Sequence, residues 1–159
     1  MDALVGRVGR RFFGKLATDS KNTAYAADGA VQRIEPNGRV SLFPTRGGRG
    51  FWPATAVAVG PKDELFLLSR ESGGVCVEGQ DSREILRLGE KGSGDGQLNA
   101  PSDLDLDRAG NLYVADTENN RIAVFGPGGK FARNLAAGKL EKPIAVAADA
   151  KGNVYVIES

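Results

Sequence analysis

Histidine is missing from all 159 residues. Its absence removes Ser-His-Asp and Cys-His catalysis, along with every histidine-ligated metal centre. A single cysteine, Cys76, excludes an internal disulfide and a cysteine-based zinc site, so the redox compartment stays open. No run of about eighteen apolar residues is present to cross a bilayer. The start, Met-Asp-Ala-Leu-Val-Gly-Arg-Val-Gly-Arg-Arg, lacks the apolar core of a signal peptide. The default reading is therefore cytoplasmic, with no membrane insertion; an export signal outside this stretch is the alternative. Net charge is also nearly absent, at +1, which gives no global attraction to nucleic acid or to an anionic membrane.

What is present describes a soluble globular chain, with 41% hydrophobic and 26% charged residues. Its 22 glycines exceed what helices tolerate and fall mostly where turns would sit. The balanced charge is unevenly laid out. Residues 1–50 hold nine Lys/Arg against four Asp/Glu, and the rest hold twelve against sixteen. The excess sits in Arg7, Arg10, Arg11, Lys15, Arg46 and Arg49. A solvated basic surface accounts for it.

The chain repeats itself. Pro101–Ile122, shifted by 42 residues, lies without gaps on Pro143–Ser159. Gly110-Asn111 meets Gly152-Asn153, and Tyr113 meets Tyr155. Shifted back by 88, the same template falls on Phe13–Ile34, placing Asp28 on Asp116 and Arg33-Ile34 on Arg121-Ile122. A shift of 47 lays Val57, Val59, Leu65 and Phe66 on Leu104, Leu106, Leu112 and Tyr113. The later part of this second unit reads as carrying an insertion of about ten residues within 70–82, with Cys76 inside it, because Phe66 to Ile85 spans 19 positions where Tyr113 to Ile122 spans 9. The aromatics Tyr25, Phe66, Tyr113 and Tyr155 are spaced 41, 47 and 42 apart.

Each unit reads as four short strands separated by turns such as Asp107-Arg-Ala-Gly-Asn111 and Gly126-Pro-Gly-Gly129. Four antiparallel strands every forty-odd residues are the mark of a β-propeller blade. Unbroken apolar runs such as Leu112-Tyr-Val-Ala115 fit it, since neighbouring blades cover both faces of each sheet.

Residues 92–131, GSGDGQLNAPSDLDLDRAGNLYVADTENNRIAVFGPGGKF, resemble an NHL repeat in the Gly-rich lead-in, the proline, the Asp-x-x-Gly-Asn turn, Tyr-Val-Ala-Asp and Asn-Asn-Arg-Ile. The likeness extends over about 13–159, in units 13–50, 51–100, 101–142 and an incomplete 143–159. It implies an all-β propeller, most often six-bladed, whose members mainly bind proteins or RNA. Some relatives are lyases or lactonases, and lyases of those kinds use histidines. About three and a half blades make less than that ring. The leading expectation is a piece of a longer propeller. Completion by another copy, through the Val154–Ser159 edge strand, and a four-bladed closure in which residues 1–12 supply an outer strand are the alternatives.

For site residues, the polar blade end formed by Asp116, Asn119, Asn120 and Arg121 is read as structural, Asp116 pairing with Arg121, and as recurring in Asp28 and Arg33. Tyr25, Phe66, Tyr113 and Tyr155 are read as core or blade-interface residues. The alternating Asp103, Asp105 and Asp107 resemble the start of a calcium loop, but no bidentate glutamate follows, and strand alternation into a turn explains them better. Function is expected where the repeat breaks its pattern. Arg46, Arg49, Phe51, Trp52 and Arg70 fall on one loop-rich face, and Trp beside Arg is typical of binding hot spots. The expectation is a non-catalytic scaffold that needs no cofactor and binds a protein. RNA, stacked on Trp52, is the second choice. A lactonase- or lyase-like enzyme with a carboxylate-bound divalent metal in the central channel is the third.

Overall fold

A computed structural model describes residues 15–45 and 53–159. Strands β1 (Leu16–Thr18), β2 (Ala24–Asp28), β3 (Ala30–Ile34) and β4 (Val40–Leu42) form one antiparallel sheet in chain order. Strands β5 (Ala54–Val59), β6 (Leu65–Ser69), β7 (Gly74–Glu78) and β8 (Glu84–Leu88) form a second. A third comprises β9 (Asp103–Leu106), β10 (Leu112–Asp116), β11 (Arg121–Phe125) and β12 (Phe131–Leu135). The last pairs β13 (Pro143–Ala148) with β14 (Val154–Glu158). One 3-10 turn, Thr117–Asn119, is the sole helical element among the described residues.

The sheets stack face to face in sequence order, as propeller blades do. Strand β5 touches β1 and β2 on one side and β9 on the other, and β9 in turn touches β13, so the first strands lie side by side. Three apolar layers result. Tyr25, Ala27, Val31 and Phe43 meet Ala54, Val57, Leu65 and Leu67; Ala56, Leu68, Val75 and Val77 meet Leu104, Leu112, Val114 and Phe125; Tyr113, Ala115, Ile122 and Val124 meet Val146. Being covered on both faces is why β10 and β11 are buried at every position. Alternate connections open on opposite faces. The first–second and third–fourth turns share one face; the second–third connections and the segments between sheets share the other.

The register corrects the repeat assignment in two places. In the second sheet Phe66 pairs with Val77 across β6 and β7, as Tyr113 pairs with Val124 across β10 and β11. Both pairs are eleven residues apart, so there is no insertion within 70–82. Val75, and not Ile85, takes the place of Ile122, and Cys76 lies fully buried in β7. The misreading came from matching one isoleucine to another when a valine held the equivalent buried slot.

The first sheet errs the other way. Asp28 pairs with Ala30 across the single residue Gly29, whereas Asp116 pairs with Arg121 across four. Strand β3 therefore slides by three residues, and Arg33 occupies the place of Val124 instead of that of Arg121. The Asp–Arg pair does not recur among the described residues: Asp28 is exposed, and Arg33 pairs instead with Glu35, at 4.0 Å.

Tyr25 and Tyr113 are buried and Phe66 is partly so, each in the layer before the next sheet. Tyr155 departs from its expected core placement. It is 59% exposed, because among the described residues no sheet packs against that side of β13 and β14.

Candidate interaction face

The face carrying the second–third connections is organised by Asp116. This residue ends β10 with no exposed area, and its Oδ2 accepts from Arg121 Nε at 2.8 Å and Asn119 Nδ2 at 2.8 Å. Its Oδ1 accepts from the Asn99 amide at 2.7 Å. Arg121 then donates through Nη2 to the carbonyls of Gly94, at 2.9 Å, and Gln97, at 2.8 Å, while Asn119 Nδ2 also reaches the Gly92 carbonyl at 2.9 Å. A planar guanidinium suits this task, since it offers several donors in a fixed fork. The glycine-rich lead-in 92–99 is thus tied to the blade end at four backbone positions, leaving Ser93 and Asp95 exposed at its tip.

The neighbouring connections are fastened to this loop. Gly73, in the connection of the second sheet, has φ +63°, and a Cβ there would stand 2.5 Å from the Leu98 carbonyl, so only glycine allows that approach. Arg70, in the same connection, is exposed. On the far side Thr117 Oγ1 donates to the Pro143 carbonyl at 2.9 Å, and the Lys142 amide donates to Asn120 Oδ1 at 2.9 Å. Asn120 itself sits at φ 52°, a left-handed position that asparagine tolerates. Of the residues expected at the binding patch, only Arg70 is described. Arg46, Arg49, Phe51 and Trp52 lie outside the described residues, as does the N-terminal segment 1–12 expected as a closing strand. The anchors Gly92, Gly94, Gln97 and Asn99 escaped the sequence reading, although the Gly-rich lead-in before Asn-Asn-Arg-Ile was the signal for them.

Along the first strands runs a cleft of about 350 Å3 lined by Lys15, Thr55, Asp103, Asp105 and Ala145–Ala147. Lys15 Nζ stands 3.4 Å from a carboxylate oxygen of each aspartate. Asp103 Oδ2 accepts from the Val146 amide at 3.0 Å and Asp105 Oδ2 from the Ala148 amide at 2.8 Å, so both carboxylates lace β9 to the next first strand. Burial pushes the Asp103 carboxyl up, against the opposing pull of the Lys15 ammonium. Asp107 does not join them. It accepts from the amides of Ala109 and Asn111, from Asn111 Nδ2, and from the Tyr113 hydroxyl at 3.0 Å. With a lysine between two carboxylates and the third turned away, these residues do not fit a calcium site, and among the described residues no cluster of three or more potential ligands occurs.

Asp107 and Tyr113 reveal a repeat the sequence reading aligned but did not pair. The Tyr25 hydroxyl oxygen lies 3.1 Å from the Asp19 carboxylate, and Tyr155 donates to Asp149 at 3.3 Å, each six residues apart. In the second sheet the equivalent positions are Gly60 and Phe66: carboxylate and hydroxyl are lost together.

Cys76 is the remaining reactive residue type. Burial, followed by the charges of Glu78 and Glu84, pushes its thiol up to about 12, which keeps it protonated and unreactive at neutral pH.

Stacked four-stranded antiparallel sheets with their first strands innermost define a β-propeller. Residues 98–125 match the NHL repeat family. Among curated proteins it is similar to Protein lin-41 of Caenorhabditis elegans, 45% identical over 47 residues, covering 30% of this chain and 4% of that protein. It is also similar to Protein brain tumor of Drosophila melanogaster, 26% identical over 110 residues, covering 68% of this chain and 11% of that one. E3 ubiquitin-protein ligase TRIM71 of Rattus norvegicus is 45% identical over 47 residues, or 30% of this chain and 6% of that protein. Among solved structures, a streptogramin B lyase aligns with a TM-score of 0.68 at 10% identity, over 90% of this chain and 47% of the lyase. A hydrazine synthase of Kuenenia stuttgartiensis aligns at 0.73 and 19% identity, over 99% of this chain and 46% of that one. These structural likenesses are of fold. The chain spans about half the length of those solved structures and a small fraction of the curated relatives. Among the described residues no helix is long and apolar enough to cross a membrane.

Proposed function

We propose that the chain is a non-catalytic propeller scaffold that binds a protein through its loop face. The observation that carries this reading is the Asp116–Arg121 anchorage of residues 92–99. A loop held at four backbone positions loses little further entropy when a partner docks on it, which is the advantage of preorganisation. Arg70 is exposed on the connection packed against that loop, and Arg46, Arg49, Phe51 and Trp52 supply the aromatic and guanidinium groups that dominate binding energy. The lack of histidine throughout the chain supports the non-catalytic reading.

Single-stranded RNA is the second reading, favoured by the residue types Arg46, Arg49, Trp52 and Arg70 in the sequence. One set of measurements separates the two. Proteins captured by the wild-type chain are identified, and the affinity of the best binder is compared with Trp52→Ala and Arg70→Glu variants whose circular dichroism is unchanged. The protein reading expects a loss of about 2 kcal/mol or more for Trp52→Ala. Equal affinity in both variants removes the patch from consideration. Retention of RNA that falls steeply between low and moderate salt transfers the assignment to RNA.

A further inference from the structure

The face opposite the loop face shows a second departure from the repeat. There, the contact between the first and second sheets is laced by four polar side chains. The Tyr25 hydroxyl donates to Gln80 Oε1 at 2.7 Å, and Gln80 Nε2 donates to the Asp63 carbonyl at 2.6 Å. The Asp63 carboxylate accepts from the Ser20 amide at 2.8 Å and hydroxyl at 2.6 Å. Between the second and third sheets, the strand registers place Pro61, Phe66, Gly110 and Pro127 at the positions of Ser20, Tyr25, Asp63 and Gln80. None of these side chains can form the lacing bonds. Where the bridge stood, a cavity of about 410 Å3 opens, a volume within the range of small-molecule sites.

The cavity has a definite shape and polarity. One wall is apolar, formed by Phe66, Leu86 and Leu88; the other is the bare backbone of Gly110, Gly126 and Gly128. A Cβ at Gly110 would meet nothing nearer than Pro127 at 4.0 Å, and one at Gly128 nothing within 4 Å. At Gly129 a Cβ would strike Leu86 at 2.5 Å, so the slot closes there. Lys62 and Glu64 stand at the mouth with opposite charges.

We propose that this slot binds a neutral, planar aromatic ligand of one or two rings. Apolar side chains on one wall and glycines without side chains on the other leave room between them for a plate-shaped apolar group. The opposed charges at the mouth select for neither sign. This site is on the opposite face from the loop anchored by Asp116 and Arg121 and does not depend on it.

Indole serves as the probe, titrated into the full chain while the methyl resonances of Leu86 and Leu88 are followed by NMR. Saturable shifts confined to the slot are expected. A double variant, Phe66→Tyr with Pro127→Gln, restores a phenol and a carboxamide to the lacing positions and should weaken binding about tenfold. Ile85→Thr, at the exposed rim, should weaken it about threefold with the fold preserved, and it decides the matter if the double variant does not fold. The proposal is overturned if no saturable shift appears up to the solubility of indole, or if Ile85→Thr binds as the wild type does. Shifts at the exposed Leu16 and Ile157, in place of Leu86 and Leu88, overturn it equally.

Discussion

In the third sheet, the junction between second and third strands is closed by a buried carboxylate–guanidinium pair that also holds the preceding loop. In the second sheet, Ser69 and Gly74 hold the same two positions, and the junction closes through a contact of the Ser72 amide with Ser69 Oγ at 3.4 Å. The strand registers are the same, yet one blade end is built to carry a structured loop and the other is a plain four-residue turn. The contrast extends to the opposite face, where the Asp107–Tyr113 pair of the third sheet is replaced by Gly60 and Phe66. Backbone plan and polar trim are therefore separable: burial on both faces sets the first, and single side chains at blade ends set the second.

The sharpest way to break this contrast is Asp116→Ala. It leaves the Arg121 guanidinium, only 7% exposed, without its carboxylate. Losing one partner of a buried ion pair costs about 3–5 kcal/mol. Ser69→Ala, at the equivalent position, should cost about 1 kcal/mol or less, since its one bond is long. Urea unfolding of both variants measures the difference. Equal costs would mean that the loop anchorage contributes nothing beyond an ordinary turn.

A smaller effect is expected at Asp107, which accepts four hydrogen bonds but is only partly buried. Asp107→Ala should lower stability by about 2 kcal/mol. Burial alone would raise this carboxyl, but the bonds from Asn111, Tyr113 and the Ala109 amide outweigh it and hold it below the usual carboxylate range. A depressed folded value stabilises the protein above the unfolded value, about 3.9, and that stabilisation is lost as pH falls through the folded value. The gap between wild type and variant should therefore be constant from neutral pH to about 5 and shrink below about 4. A gap that stays unchanged down to pH 2 would show that the charge is not what holds the turn.

Much of the fold was legible because it is periodic. The spacing of Tyr25, Phe66, Tyr113 and Tyr155 located four units, and the apolar runs told that both faces are covered. What failed was the bookkeeping between second and third strands. Ile85 attracted the alignment because it is chemically closer to Ile122 than Val75 is, yet burial asks only for an apolar residue of the right size at that register. The one-residue connection at Gly29 was equally hidden, since a three-residue slip in β3 still places apolar Val31 and Ile34 inward. The candidate site was less legible still. Asp116 and Arg121 were visible as a pair, but the carbonyls they hold are backbone atoms, which carry no mark in a sequence.

The Asp–Tyr pairing gives the finest test of how far the trim can be read from residue types alone. Tyr113→Phe removes one hydroxyl bond to Asp107 and should cost about 1 kcal/mol, with the remaining three bonds to the carboxylate intact. The reverse change, Phe66→Tyr, puts a hydroxyl where position 60 has no carboxylate, and the Glu64 carboxylate beside it already accepts from the Lys62 amide, so it should gain nothing, within about 0.5 kcal/mol. The two substitutions differ by the same single oxygen at equivalent register positions. If thermal unfolding showed equal and opposite effects, the hydroxyl would matter through burial or packing and not through its partner. An asymmetric result, a loss at 113 and no gain at 66, would show that the pair is the unit of stabilisation, and that Gly60 and Phe66 are matched to each other.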